Sequence, residues 1–216
     1  MRARHLLALV ALAGGACAKP SQLRHPEPAR LSLAAPDSFT VDVLTSKGTF
    51  TLTAHRDWAP LGVDRLYHLV RARFYDGNRF FRTVDNFVTQ FGLNGDTAVT
   101  AAWRAQRIMD DPVKRSNVRG TVSFAAGGKD SRTTQLFLNY KDNSRLDTLG
   151  FAVIAQVVDG MPVVDSLYKG YGEGPPRGTG PSQDRIVKEG NAYLIKDFPL
   201  LDYIITARIR REWRHQ

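Results

Sequence analysis

The stretch Phe80-Phe81-Arg82-Thr83-Val84-Asp85-Asn86-Phe87-Val88-Thr89-Gln90-Phe91-Gly92 decides the reading of this chain. From Arg79 to Gly95 the residues are mainly aromatic or β-branched and end among glycines, the pattern of a strand running into a loop. A lone arginine on a strand is ordinarily a solvated surface group, so Arg82 gains meaning only from its surroundings.

Working outward, a second stretch runs Val122-Ser123-Phe124-Ala125-Ala126-Gly127-Gly128, followed by Gln135-Leu136-Phe137. Strand-like runs cover Thr121 to Ala126, Gln135 to Tyr140 and Phe151 to Val158, with a last one including Ile204, Ile205, Ala207 and Ile209. Toward the N-terminus, Phe39, Val41 and Val43 alternate, and Phe50, Leu52 and Ala54 repeat the pattern after Ser46-Lys47-Gly48. Two such runs around a short turn predict a β-hairpin. Between the hairpin and the first stretch the period changes. Val63, Leu66, Tyr67 and Val70 share one helical face, and Pro60 suits the first helical position, where its missing N–H costs nothing. A short second helix is expected after Gly160, opened by Pro162, with Val164, Leu167 and Tyr168 on one face. Residues 170–190 are rich in glycine and proline and read as a long loop. Many short strands with only two helices point to a mainly β, closed or nearly closed architecture. No repeat and no boundary divides residues 38–210.

The two quoted stretches resemble the signature segments of the cyclophilin family. The first of these reads roughly F-H-R-x-x-x-x-F-x-x-Q-x-G, and the second S-M-A-x-x, a glycine-containing loop, then S-Q-F-F. Leu146-Asp147 and Gly150 to Met161 resemble the bacterial branch, and the blocks occur in family order. The resemblance spans about residues 38–210. It implies a closed eight-stranded antiparallel barrel with a helix at each end, and peptidyl-prolyl cis-trans isomerase activity without cofactor or metal. Carried over residue by residue, it makes Arg82 the catalytic arginine and Gln90 the group that orients it and the substrate. It places Phe87, Val88, Phe137 and Leu146 around the proline ring and Gln135 and Ala125 along the peptide groove. Phe151 falls near the position of the usual pocket histidine. Three further departures are Phe81 for the common histidine, Ala126 for the usual groove asparagine, and Arg145 where many eukaryotic members carry a groove tryptophan. The last implies weak binding of the family's inhibitor cyclosporin.

The chemistry suits these residue types on its own terms. Rotating a peptide bond breaks amide resonance and crosses a barrier of about 18–20 kcal/mol. For X–Pro the end states differ by only about 0.5–1 kcal/mol, yet exchange takes tens to hundreds of seconds. No covalent bond forms, so neither nucleophile nor metal is needed. The catalyst must favour the twisted amide over both planar forms. A fixed guanidinium can donate to the proline nitrogen and to a neighbouring carbonyl without losing its charge, while an apolar pocket holds the ring.

Other chemistries find little support. His5, His25, His55, His68 and His215 have no metal-ligand spacing. Gly127-Gly128-Lys129-Asp130 lacks the spacing of a phosphate loop. Asp110-Asp111 reads as a solvated turn before Pro112. The formal net charge of the 216 residues is +9, but apart from Arg208, Arg210, Arg211 and Arg214 the basic residues are scattered and no nucleic-acid motif accompanies them. Solubility explains this balance better than a nucleic-acid partner does.

The ends carry separate signals. Arg2 and Arg4 precede the apolar run Leu6 to Ala16, which has the length of a signal-peptide core and not of a membrane span. Gly14, Gly15 and Ala16 then stand before Cys17, the only cysteine. This resembles a bacterial lipoprotein signal in which Cys17 becomes the lipidated N-terminus; an ordinary secretory signal cut nearby is the alternative. Residues 18–37, with Pro20, Pro26, Pro28 and Pro36, read as a flexible tether, and residues 211–216 as a basic tail. The expectation is an exported, periplasmic or envelope-bound monomer acting on proline-containing peptides or unfolded exported proteins. The alternative is a non-catalytic peptide-binding or scaffold module of the same fold.

Overall fold

The computed structural model describes residues 21–214. The signal segment, Cys17 and the first residues of the expected tether lie outside these. Eight strands form one antiparallel sheet: β1 (Ser38–Thr45), β2 (Gly48–His55), β3 (Arg82–Val84), β4 (Val88–Phe91), β5 (Thr121–Phe124), β6 (Leu136–Asn139), β7 (Val153–Asp159) and β8 (Ile204–Trp213). Their order is β3-β4-β6-β5-β7-β2-β1-β8. The expected hairpin is β1–β2, with Thr45 opposite Gly48 and Phe39, Val41 and Val43 opposite Ala54, Leu52 and Phe50. All six of these side chains are buried, as the period-2 alternation requires.

The sheet is an open half-barrel, which corrects the expected closed barrel. Its edges are β3 and β8. β3 has only three residues, and the chain just before it meets the start of β8 through a single bridge, Arg79 to Tyr203. A few backbone hydrogen bonds accompany that bridge, Gly77 N–H to the Ile204 carbonyl and Phe80 N–H to the Asp202 carbonyl among them. An isolated bridge is not a ladder.

The first expected helix is α3 (Pro60–Arg71); the second is present as the shorter α5 (Met161–Asp165), which ends before the Leu167 and Tyr168 of its expected face. Ala59 cannot cap α3 with its side chain. Asp111 serves instead, accepting from Leu61 N–H at 3.1 Å and Gly62 N–H at 2.7 Å. This places the Asp110-Asp111 pair in structural work, since Asp110 pairs with Arg132. Val63, Leu66, Leu69 and Val70 of α3 enter the main core beside Phe39, Phe50, Phe124 and Leu136.

The helix inventory corrects the two-helix expectation. Among the described residues four more α-helices occur: α1 (Ser21–Arg24), α2 (Pro28–Leu31), α4 (Thr97–Arg104) and α6 (Gln183–Asp197). α4 is short and rich in Ala and β-branched residues, so its period is faint, but Asp96 caps it by accepting from Ala98 and Val99 N–H. α6 is kinked at Gly190, whose φ of 61° only glycine adopts freely. A Cβ there would lie 2.2 Å from the Gly95 carbonyl oxygen. That glycine interrupts the pattern which would otherwise have marked a helix within residues 170–190. Ile186, Tyr193 and Leu194 of α6 form a second core with Phe81, Leu93 and Leu201.

The described parts of both end segments, residues 21–37 and 211–213, pack onto the domain. Leu23 is buried and its carbonyl accepts from Trp103 Nε1 at 2.9 Å, while Arg24 pairs with Asp96. Proline content signalled an arm, yet Leu23 and Ala35 supply the apolar anchors. Arg211, Glu212 and Trp213 extend β8, opposite Thr40, Phe39 and Ser38. Among the described residues no helix is long and apolar enough to cross a membrane.

Candidate active site

The register of three neighbouring strands builds the site. Arg82 of β3 lies opposite Gln90 of β4, and Gln90 lies opposite Phe137 of β6. Residues directly opposite one another in an antiparallel sheet share a face, so one row carries a guanidinium, an amide and an aromatic ring. Val88, two residues before Gln90, projects to the same face. Gln90 links the row to the next segment. Its Oε1 accepts from Arg82 Nη1 at 3.1 Å, and its Nε2 donates to Gln135 Oε1 at 2.8 Å. Ala125 sits alongside, its N–H donating to the Gln135 carbonyl at 2.9 Å.

Val88, Phe137 and Leu146 form an apolar cluster separate from the two cores, with Phe87, Ala125 and Phe151 packed against it. Phe137 meets Phe151 edge to face at 5.4 Å between ring centroids, a favoured aromatic geometry. Arg82 and Arg145 both face the Phe87 ring, their Cζ atoms 5.7 and 5.0 Å from its centroid. An open groove of about 890 Å³ runs over this cluster. The structure brings all nine residues singled out in the sequence to it: Arg82, Phe87, Val88, Gln90, Ala125, Gln135, Phe137, Leu146 and Phe151.

A buried polar network beneath the cluster holds the pocket's backbone. Asn143 Nδ2 donates to the Phe87 carbonyl at 3.0 Å, and Asn117 Nδ2 donates to the Phe151 carbonyl at 2.7 Å. Asn139 joins the two asparagines, and Ser123 donates to Asn117 Oδ1. Asn117 also donates to Asp147. Burial pushes the Asp147 carboxyl up, but hydrogen bonds from Ser116 and Asn117 prevail and hold it below its ordinary value. Most of the network's buried amide groups are paired, as buried polar groups usually are; Asn143 Oδ1 is buried without a hydrogen-bond partner.

One side chain at the site was not singled out from the sequence. Glu173, in the loop between α5 and α6, grips Arg82 with both carboxylate oxygens, Oε1 accepting from Nε at 2.6 Å and Oε2 from Nη2 at 2.7 Å. The Arg82 guanidinium holds the Glu173 carboxyl below the usual carboxylate range, against a smaller opposing effect of burial. The groove continues along Gly174, Pro175, Pro176 and Arg177. The glycines and prolines of residues 170–190 mark the loop, but nothing in the sequence marks which of its side chains reaches Arg82. Phe81, which departs from the signature histidine, is buried in the second core under α6. Among the described residues no cluster of His, Cys, Asp or Glu could hold a metal ion.

Comparison with known proteins agrees with this architecture. The family model described as cyclophilin type peptidyl-prolyl cis-trans isomerase/CLD matches residues 40–190. Peptidyl-prolyl cis-trans isomerase A of Dickeya dadantii is 34% identical over 148 residues, covering 63% of this chain and 74% of its own. Peptidyl-prolyl cis-trans isomerase B of Escherichia coli is 31% identical over 144 residues, covering 60% and 84%. In structure the fold is similar to a Cryptosporidium parvum cyclophilin-type isomerase, with a TM-score of 0.60 at 15% identity, over 81% of this chain and 99% of that one. A matched span of that extent, on a half-barrel whose Arg82–Gln90–Phe137 row borders an apolar pocket, makes this chain a member of the cyclophilin-type peptidyl-prolyl cis-trans isomerase family.

Proposed function

We infer that this chain catalyses cis–trans rotation of X–Pro bonds in the groove over Phe137. One observation carries the reading. A cross-strand row sets the Arg82 guanidinium beside an apolar cluster that is not part of the main core. A proline ring seated among Phe87, Val88, Phe137 and Leu146 would hold one side of the amide while the acyl side turns. Arg82 would donate to the proline nitrogen as it becomes pyramidal, with Gln90 orienting both Arg82 and the substrate, and Gln135 and Ala125 would line the path of the peptide. Donors already aimed at the twisted amide lower the barrier without reorganising at the moment of rotation.

An NMR exchange assay on a short Ala-Pro peptide tests this. Wild type should accelerate exchange, and Arg82→Ala should cut kcat/KM on the order of 10²–10³ with unchanged circular dichroism, the usual loss for one preorganised donor. Near-wild-type exchange by Arg82→Ala would refute the assignment. Peptide binding without exchange in the wild type would instead establish a non-catalytic binding module.

The clients we propose are exported proteins during folding, met by a monomeric enzyme in the periplasm or at the envelope. The Leu6 to Ala16 run and the small residues before Cys17 support this. Mass spectrometry of the mature protein should find lipidated Cys17 at the N-terminus. An unmodified terminus elsewhere, in a host that processes lipoproteins, refutes the anchor.

A further inference from the structure

Arg82 is held from two sides. Gln90 takes one N–H of Nη1, and Glu173 takes Nε–H and one N–H of Nη2. A guanidinium has N–H donors on all three nitrogens, two on each terminal one. One N–H on Nη1 and one on Nη2 therefore stay available to a substrate. Glu173 lines the same groove as Val88, Phe137 and Leu146.

The loop that carries Glu173 is folded around that residue's backbone. Gly180 N–H donates to the Glu173 carbonyl at 2.9 Å. A Cβ on Gly178 would lie 2.2 Å from the same carbonyl oxygen, and one on Gly180 would lie 2.6 Å from the Tyr171 oxygen and 2.9 Å from that of Glu173. Such approaches leave no room for any side chain at either glycine. Gly172 forms a bridge to Thr83, the residue after Arg82. The Tyr171 ring packs edge-on to Tyr168 and Phe198, with centroids 5.0 and 4.9 Å away. The loop is thus tied to β3 and to the second core just before residue 173, and its returning segment closes on the Glu173 carbonyl through Gly180.

We propose that Glu173 is a positioning residue for Arg82. Its carboxylate locks the plane of the guanidinium, so that the remaining N–H groups of Nη1 and Nη2 meet the twisted amide above the proline pocket. The proposal rests on the isomerase reading of the groove. A lone arginine side chain has many rotamers to lose on reaching a transition state. Two-point pairing with a carboxylate fixes both its direction and its plane. The opposite expectation is that Glu173 competes with the substrate for Arg82. The two differ in sign, because removing a competitor raises the rate and removing a positioning group lowers it.

The test uses the full chain carrying Glu173→Gln, which keeps the shape and removes the charge. The same Ala-Pro exchange assay gives kcat/KM, and a peptide titration gives affinity. We expect kcat/KM to fall about tenfold, the worth of one hydrogen bond between charged groups, with peptide affinity nearly unchanged. Glu173→Asp, which keeps the charge on a shorter stem, should fall between the two. The Arg82 Nε–H resonance, assigned by its loss in Arg82→Ala, should be sharp in wild type and broadened in Glu173→Gln. Rotation as fast as wild type or faster in Glu173→Gln, with native circular dichroism, overturns the proposal. Failure of the wild type itself to catalyse exchange overturns the isomerase reading, and this proposal with it.

Discussion

The two walls of the groove are made in different ways. One wall, from Phe87 and Val88 across to Phe137, Leu146 and Phe151, is a sheet face with its supporting turn. Strand register places its side chains, and the Asn117–Asn139–Asn143 network secures its backbone. The other wall, Glu173 to Arg177, belongs to a Gly- and Pro-rich loop with no ladder of its own. Its shape comes from backbone packed on backbone at Gly174, Gly178 and Gly180. An apolar recess tolerates modest side-chain movement and still holds a proline ring. A two-point ion pair does not, since hydrogen bonds weaken steeply with misalignment. The loop wall should therefore govern rate, and the sheet wall affinity and stability.

The strongest way to break this contrast is Phe137→Ala. Emptying a buried aromatic position costs about 3–5 kcal/mol, so urea denaturation should show a loss of that order, and peptide titration a weaker complex. Unchanged stability would mean that the sheet wall is not a packed unit. Next comes Gly180→Ala, whose Cβ would press on the Tyr171 and Glu173 carbonyls. Its φ is ordinary, so its cost is steric. We expect kcat/KM to fall about tenfold, matching loss of the Glu173 contact, with peptide affinity held. A fall in affinity with rotation intact would reverse the assignment of the two walls. The smallest effect is expected from Arg145→Trp. Arg145 is exposed and touches the site only by stacking on Phe87. Basal exchange should stay within about twofold, as for most surface changes. A cyclosporin titration should show tighter binding than in wild type, because an indole N–H is a more rigid donor than an arginine on its long stem. Equal inhibition of both proteins would remove residue 145 from the inhibitor's contacts.

Much of the sheet wall could be read directly. Alternation placed β1 and β2, and the run from Gln135 to Tyr140 contains β6. The spacing of Arg82, Phe87 and Gln90 follows from a hairpin, in which Phe87 ends the turn and Gln90 returns opposite Arg82. Helix α3 was equally legible from Pro60 and one apolar face. The loop at residues 170–190 was read as a loop, but its place as the second wall of the groove was not legible. Glu173 lies 91 positions from Arg82, and no period links a loop residue to a distant strand. Helix α6 stayed hidden because Gly190 breaks its pattern, although that glycine is what admits the Gly95 backbone. Leu23 shows the reverse error, since a proline-rich composition concealed one apolar anchor beneath Trp103.

By itself the sequence determined the alternating strands, the apolar face of α3 and the motif spacing that puts Arg82, Gln90 and Phe137 in one family pattern. These are short-range properties, because side-chain period and turn chemistry act over a few residues. Only the tertiary structure decided that the sheet stays open between β3 and β8, that residues 21–37 and 211–213 pack onto it, and that a carboxylate from the loop after α5 holds the arginine. Each of these depends on which distant surfaces meet, and contacts between distant segments leave no period in the chain that makes them.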